Sequence, residues 1–224
     1  MIVVNFSRRN KKGVDQMEIS SGIRRAVTGI ANQGILGGSA QGRLNEQLLT
    51  AAKLGCRECV SKYLDQGADK NVLDSNRRTP VMWAAAGGCD GSVSHLQEAG
   101  ADLNRVDLWG WSSILVAAVR GHTDCVLSLI DWGADHDTPG YLGLTPLMAS
   151  AREGCTKGVD KLLGAGVNID STDHNGRTAL MIAALNGKEE CVRQLVNAGA
   201  DINIKDINGN GLAALMDQHL ESKW

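Results

Sequence analysis

Apolar positions along this chain keep one phase at a fixed long interval. Val60, Val93, Val126, Val159 and Val192 are each 33 residues apart, and the pairs Ala84-Ala85, Ala117-Ala118 and Ala183-Ala184 hold a second phase of the same period. Polar and turn residues step in register with them. Gly67-Ala68-Asp69 returns as Gly100-Ala101-Asp102, Gly133-Ala134-Asp135, Gly166-Val167-Asn168 and Gly199-Ala200-Asp201. Thr79-Pro80-Val81-Met82 returns as Thr145-Pro146-Leu147-Met148 and Thr178-Ala179-Leu180-Met181, with Ser112-Ser113-Ile114-Leu115 a looser copy. Each residue type explains its place. The Thr hydroxyls suit an N-cap, and Pro80 and Pro146 suit the first helical position, where no amide donor is missed. The alanines let helices approach closely, Gly88, Gly121, Gly154 and Gly187 suit the tight turn to a second helix, and the glycine of each Gly-Ala-Asp ends that helix. Asp74, Asp107, Asp173 and Asp206 suit a hairpin-like turn to the next unit. Every unit therefore reads as helix, turn, helix, finger.

The units divide the chain as follows. Residues 44–70 read as an N-terminal cap, with Leu44, Leu48 and Leu49 on the apolar phase. Full repeats follow at 71–103, 104–136, 137–169 and 170–202, and 203–220 reads as an incomplete C-terminal cap with one helix. Gly91 and Gln97 weaken the second helix of the 71–103 unit, and Pro139-Gly140 replaces the turn aspartate in the 137–169 finger, so that tip should be shaped differently.

This period and the Thr-Pro-Leu-type signature resemble the ankyrin repeat. The resemblance implies an all-α solenoid of helix-turn-helix units joined by hairpin-like fingers. It also implies protein–protein recognition, through a concave groove lined by the fingers and the exposed side of each first helix, although fold alone names no ligand.

Composition agrees with close-packed helices: the chain has one Phe and two Tyr among 224 residues. No apolar run approaches the roughly 18 residues of a membrane span, and Met1 to Phe6 is too short for a signal-peptide core. The expected location is the cytoplasm, with the nucleus as an alternative. Charge sets 1–43 apart, with seven basic and two acidic side chains against 16 and 23 in the remainder. This Gly/Ser-containing stretch reads as a flexible arm. Its cluster Arg8-Arg9-Asn10-Lys11-Lys12 fits an import signal or a nucleic-acid contact, and equally a solvated tail. The acidic array disfavours nucleic acid as the main partner.

Candidate chemistry adds little. Cys56 and Cys59 have the spacing of a redox or zinc pair. Yet Cys56, Cys89 and Cys155 share one repeat phase and Cys59, Cys125 and Cys191 another, so the lattice accounts for all six as small buried thiols of a reducing compartment. The competing reading, a metal or redox protein, would show itself as bound zinc or a Cys56–Cys59 disulfide. No histidine recurs beside a nucleophile, and no phosphate-binding glycine loop is present. No catalytic residue, metal, cofactor or small-molecule substrate is expected.

The positions left free by the scaffold carry the functional expectation. They are Arg78 and Trp83 in the 71–103 unit, Leu108, Trp109, Trp111, Val116 and Arg120 in the next, and Tyr141, Leu142, Leu144 and Arg152 in the third. Aromatic and arginine side chains dominate interface hot spots. The chain is expected to be a non-catalytic adaptor or scaffold, monomeric unless a partner covers its C-terminal end.

Overall fold

The computed structural model describes residues 39–221. Among these residues there are eleven α-helices and no strand. In chain order they are α1 Ala40–Lys53, α2 Arg57–Asp65, α3 Pro80–Ala86, α4 Asp90–Glu98, α5 Ser113–Val119, α6 Thr123–Asp131, α7 Pro146–Glu153, α8 Thr156–Gly164, α9 Ala179–Leu185, α10 Glu189–Asn197 and α11 Leu212–Glu221. The odd-numbered helices stack into one row and the even-numbered helices into another; each helix touches its row neighbours, and all but α11 also touch the other helix of their own unit. This is the expected all-helical solenoid.

Capping explains where the helices begin. Thr79, Thr145 and Thr178 each accept the amide N–H three residues on at 3.3 Å, and Ser112 does the same for Leu115 at 3.4 Å. Pro80 and Pro146 open α3 and α7 without forfeiting a bond. The core between the rows is a continuous column that includes the recurrent Val60, Val93, Val126 and Val159, together with the alanine pairs.

Two sets of side-chain bonds recur along the array, the first joining the two ends of a unit and the second closing each finger. Asn45, Asn71, Asn104, Asp137 and Asp170 accept the amide of Asp69, Asp102, Asp135, Asn168 and Asp201 respectively, at 2.8 to 3.4 Å. In the fingers Asp74, Asp107, Asp173 and Asp206 each accept two amides through Oδ1, from the residues two and four positions on. Asn71, Asn104, Asp137 and Asp170 of the first set keep the 33-residue period, while Asn45 makes the equivalent bond from within α1.

Three sequence expectations need adjustment or fall outside this region. Helix α1 starts at Ala40 behind the cap Ser39, so Gly42 and Arg43 are helical rather than part of an arm ending at residue 43. Arg8, Arg9, Lys11 and Lys12 lie outside the described residues. Gly91 in α4 has a packing reason: a Cβ there would meet the Arg57 side chain at 2.9 Å, so its absence makes room for that arginine to cross.

Candidate functional site

The finger tips of the second and third full repeats each carry two exposed large apolar side chains, whereas the last finger carries one, Ile207. Leu108 is 57%, Trp109 45%, Tyr141 58% and Leu142 48% exposed. They come from adjacent units and occupy equivalent positions, Leu108 with Tyr141 and Trp109 with Leu142.

A packed pedestal lies beside them. Arg78 places its guanidinium 5.0 Å from the Trp83 ring centroid and 5.2 Å from that of Trp109, and its Nε donates to Asp107 Oδ2 at 3.3 Å. Lys53 Nζ covers Trp83 at 4.6 Å, while Trp83 Nε1 donates to Asp74 Oδ2 at 3.0 Å. The sequence alone offered Arg78 and Trp83 as free groove residues. The structure instead commits both: the arginine is held between two rings and a carboxylate, where it fixes Trp109 rather than presenting a bare charge.

The remaining candidates separate by burial. Val116 is 8% exposed. It shares the repeat phase of the half-buried Trp83, but its short branched side chain does not reach past its neighbours as an indole does. Trp111 and Leu144 are half-buried and pack against the core. Arg152 pairs with Glu153 at 3.0 Å, and Arg120 is exposed. The surface patch is thus smaller than the sequence implied, comprising Leu108, Trp109, Tyr141 and Leu142, with Arg120 as an exposed cation.

The altered third finger shapes this patch. A neighbouring-finger bond recurs in the array, Leu108 N–H to Asn76 O at 3.1 Å, His174 N–H to Leu142 O at 2.9 Å and Ile207 N–H to Asn175 O at 3.0 Å. No corresponding bond joins Tyr141 to Trp109 among the described residues. Residues Tyr141–Gly143 instead form a short 3-10 turn with Leu142 at φ 61°, a left-handed conformation unusual for a leucine. Beneath it, Trp111 packs on Gly140, and the buried indole N–H has no partner. At this repeat position Arg177 and Asn210 donate to their own finger aspartate. Asp107 is engaged by Arg78, and glycine stands where the next unit would supply a carboxylate.

The cysteines require a correction. Cys89, Cys125, Cys155 and Cys191 are thiols, but Cys56 and Cys59 are joined in a disulfide. Shared repeat phase accounts for the thiols on the later units. It does not reach a pair on one helical turn, where the N-cap Cys56 and Cys59 have Cα atoms 5.3 Å apart. Burial raises the Cys89 thiol above its ordinary range and, with Asp90 and other negative groups adding to it, pushes Cys125 up to about 12. No grouping of three metal-ligating side chains occurs among the described residues. Nor is any described helix long and apolar enough to cross a membrane.

A family model described as ankyrin repeats (3 copies) matches residues 48–140 and 135–206, which together make up more than half of the chain. No curated protein matches the chain.

Proposed function

The chain belongs to the ankyrin-repeat family, and from that premise we propose that it is a non-catalytic protein-binding module, an adaptor or scaffold. Repeats of this kind generally mediate protein–protein interaction. On this reading the partner is another protein, docked by apolar side chains of its own against the finger tips of the 104–136 and 137–169 units and extending into the groove toward Trp83 and Arg120.

The observation that carries this proposal is the juxtaposition of Leu108, Trp109, Tyr141 and Leu142, all exposed, on two adjacent fingers of a rigid array. Four large side chains on one edge approach the few hundred square ångströms at which exposed patches mark interaction sites. The clamp of Arg78 between Trp83 and Trp109 supports the same reading, because an anchor already held in place loses little freedom on binding. Arg152 and Arg78 are neutralised within the chain, so apolar contact rather than charge is the main attraction.

The test is affinity capture from cell extract with the full chain and with a Trp109→Ala/Tyr141→Ala variant of matched thermal midpoint. Partners retained by the parent and lost by the variant support the finger-tip site. An identical partner set for both proteins refutes it.

A further inference from the structure

We propose that Cys56 and Cys59 form a reversible dithiol–disulfide centre, a thiol-exchange site at the start of α2 whose reductant is a low-molecular-weight thiol. The array supplies its own controls. Helices α4, α6, α8 and α10 begin at the same repeat position as α2, and none is bridged. Their N-cap and third helical residues are Cys89 and Ser92, His122 and Cys125, Cys155 and Gly158, and Lys188 and Cys191. Four equivalent helix starts therefore form without a disulfide, so the fold does not require one at Cys56–Cys59. A bridge that spans one turn also closes a loop too short to constrain the unfolded chain much. What remains distinctive is the chemistry of two sulfurs held together at a helix N-terminus.

The local geometry favours exchange in both directions. The Cys59 amide N–H donates to Cys56 Sγ at 3.3 Å, the capping bond that a thiolate at this position would strengthen. Cys59 is half-buried, whereas Cys56 is 9% exposed, so Cys59 is the more accessible residue of the pair. In reduction the thiolate of a small thiol attacks Cys59 Sγ. A new sulfur–sulfur bond forms there, the Cys56–Cys59 bond breaks, and Cys56 leaves as the thiolate held by the Cys59 amide. A second small thiolate then attacks the small-thiol sulfur of the mixed disulfide and releases Cys59. Two electrons pass from the two small thiols to the protein, their protons end on Cys56 and Cys59, and the small-molecule disulfide departs. Oxidation reverses these steps.

Cys89 is the nearby competitor, because its Sγ lies against Gly55, next to Cys56 in the chain. Its burial keeps it protonated and a poor nucleophile.

The experiment equilibrates the full chain in glutathione buffers from fully reduced to fully oxidised, traps thiols with N-ethylmaleimide and maps the labels by peptide mass spectrometry. The expected result is a joint change at Cys56 and Cys59, from both labelled to neither, with unchanged far-UV circular dichroism. Cys89→Ser should preserve that transition. Cys59→Ser should abolish it. Cys56→Ser, which retains a capping oxygen, should leave Cys59 taking up a single glutathione. Full labelling of both cysteines in oxidised buffer, a bridge from Cys56 to Cys89, or loss of helix on reduction would overturn the proposal.

Discussion

Asp107 is the residue on which the finger-tip patch stands, and Asp107→Ala provides a quantitative test of that role. The carboxylate is 4% exposed; its Oδ1 accepts the amides of Trp109 at 2.9 Å and Trp111 at 3.0 Å, and its Oδ2 accepts Arg78 Nε. Removing it leaves two backbone donors without that acceptor. A hydrogen bond to a charged group contributes about 1.5–3 kcal/mol. The Trp109 amide lies beside an exposed residue and recovers water, so it falls below that range, whereas the Trp111 amide sits beneath packed side chains and does not recover as well. The arginine adds less than about 1 kcal/mol, because its side chain is 30% exposed and the ion pair is screened. The sum is a destabilisation of roughly 2–4 kcal/mol. Asp107→Asn keeps an oxygen for the two amides but turns an NH2 group toward Arg78, so about half of that loss is expected. Urea unfolding followed by circular dichroism measures both. Asp102→Ala, in the preceding unit, is the control: Asp102 also accepts an amide, that of Asn104 at 3.0 Å, but is exposed, so water replaces most of what is lost. A loss for Asp107→Ala no greater than that control would refute the assignment of Asp107 as the pedestal.

Gly140→Ala should destabilise by about 1–3 kcal/mol in the same assay, because its φ of −91° is ordinary and the new Cβ would overlap Leu115 Cδ2 and press on Trp111. Gly164→Ala, at the end of α8 with nothing within 4 Å of the new Cβ, should instead stabilise by roughly 0.5 kcal/mol; the same sign for both substitutions would contradict this packing account. Acid should weaken the fingers. The Thr138 hydroxyl and the Asp137 amide hold Asp135 below its ordinary 3.8, and the amide of Asn210 does the same for Asp206. Groups depressed in the folded state stabilise it above the unfolded value and lose that contribution as pH falls through the folded one. Comparing unfolding midpoints at pH 7 and pH 3 for the parent and Asp135→Asn checks this, and the variant should lose less. Cys125, fully buried with its thiol pushed up to about 12, should resist N-ethylmaleimide in the native chain at pH 7.5 and label only on unfolding, as followed by mass spectrometry.

The fold was legible in the sequence because a repeat states the same instruction several times. Thr79, Thr145 and Thr178 each begin a helix by one bond, and three copies turn a weak local preference into a reliable boundary. The finger-tip residues stand out against the same repeat: Trp109 and Leu142 replace Asn76, Asn175 and Asn208, and Leu108 and Tyr141 stand where Ser75, His174 and Ile207 are the other copies, so only these two fingers carry apolar side chains at both tip positions. Burial within the groove was harder to read. Val116 and Trp83 share a phase, but their reach differs by an indole ring, and reach decides which one meets solvent. The clamp on Arg78 was hidden because Trp83, Asp107 and Trp109 come from two units and meet only when the odd-numbered helices stack. The Cys56–Cys59 bridge was hidden because repeat phase relates each cysteine to its copies in other units, while the bond lies within one turn.

The exposed patch and the altered third finger share a cause. In the other fingers the turn aspartate binds its own loop, and in the last two a side chain four residues on, Arg177 or Asn210, returns to that carboxylate. In the 137–169 unit Gly140 removes the carboxylate, and Trp111 from the preceding unit fills the space above it, since any Cβ at that position would collide with Leu115 and crowd the indole. The tip must then turn without a carboxylate acceptor, which it does through a 3-10 turn with Leu142 at positive φ, closed by backbone bonds from Gly143 to Gly140 and from Leu144 to Tyr141. That turn coincides with the one missing bond in the run of neighbouring-finger contacts. Glycine at position 140 thus exchanges an internally satisfied polar finger for one that shows Tyr141 and Leu142 beside Trp109. A stable array gains nothing from a left-handed leucine and an orphaned indole N–H. Such local departures from the rule are expected where a surface has been shaped for a partner.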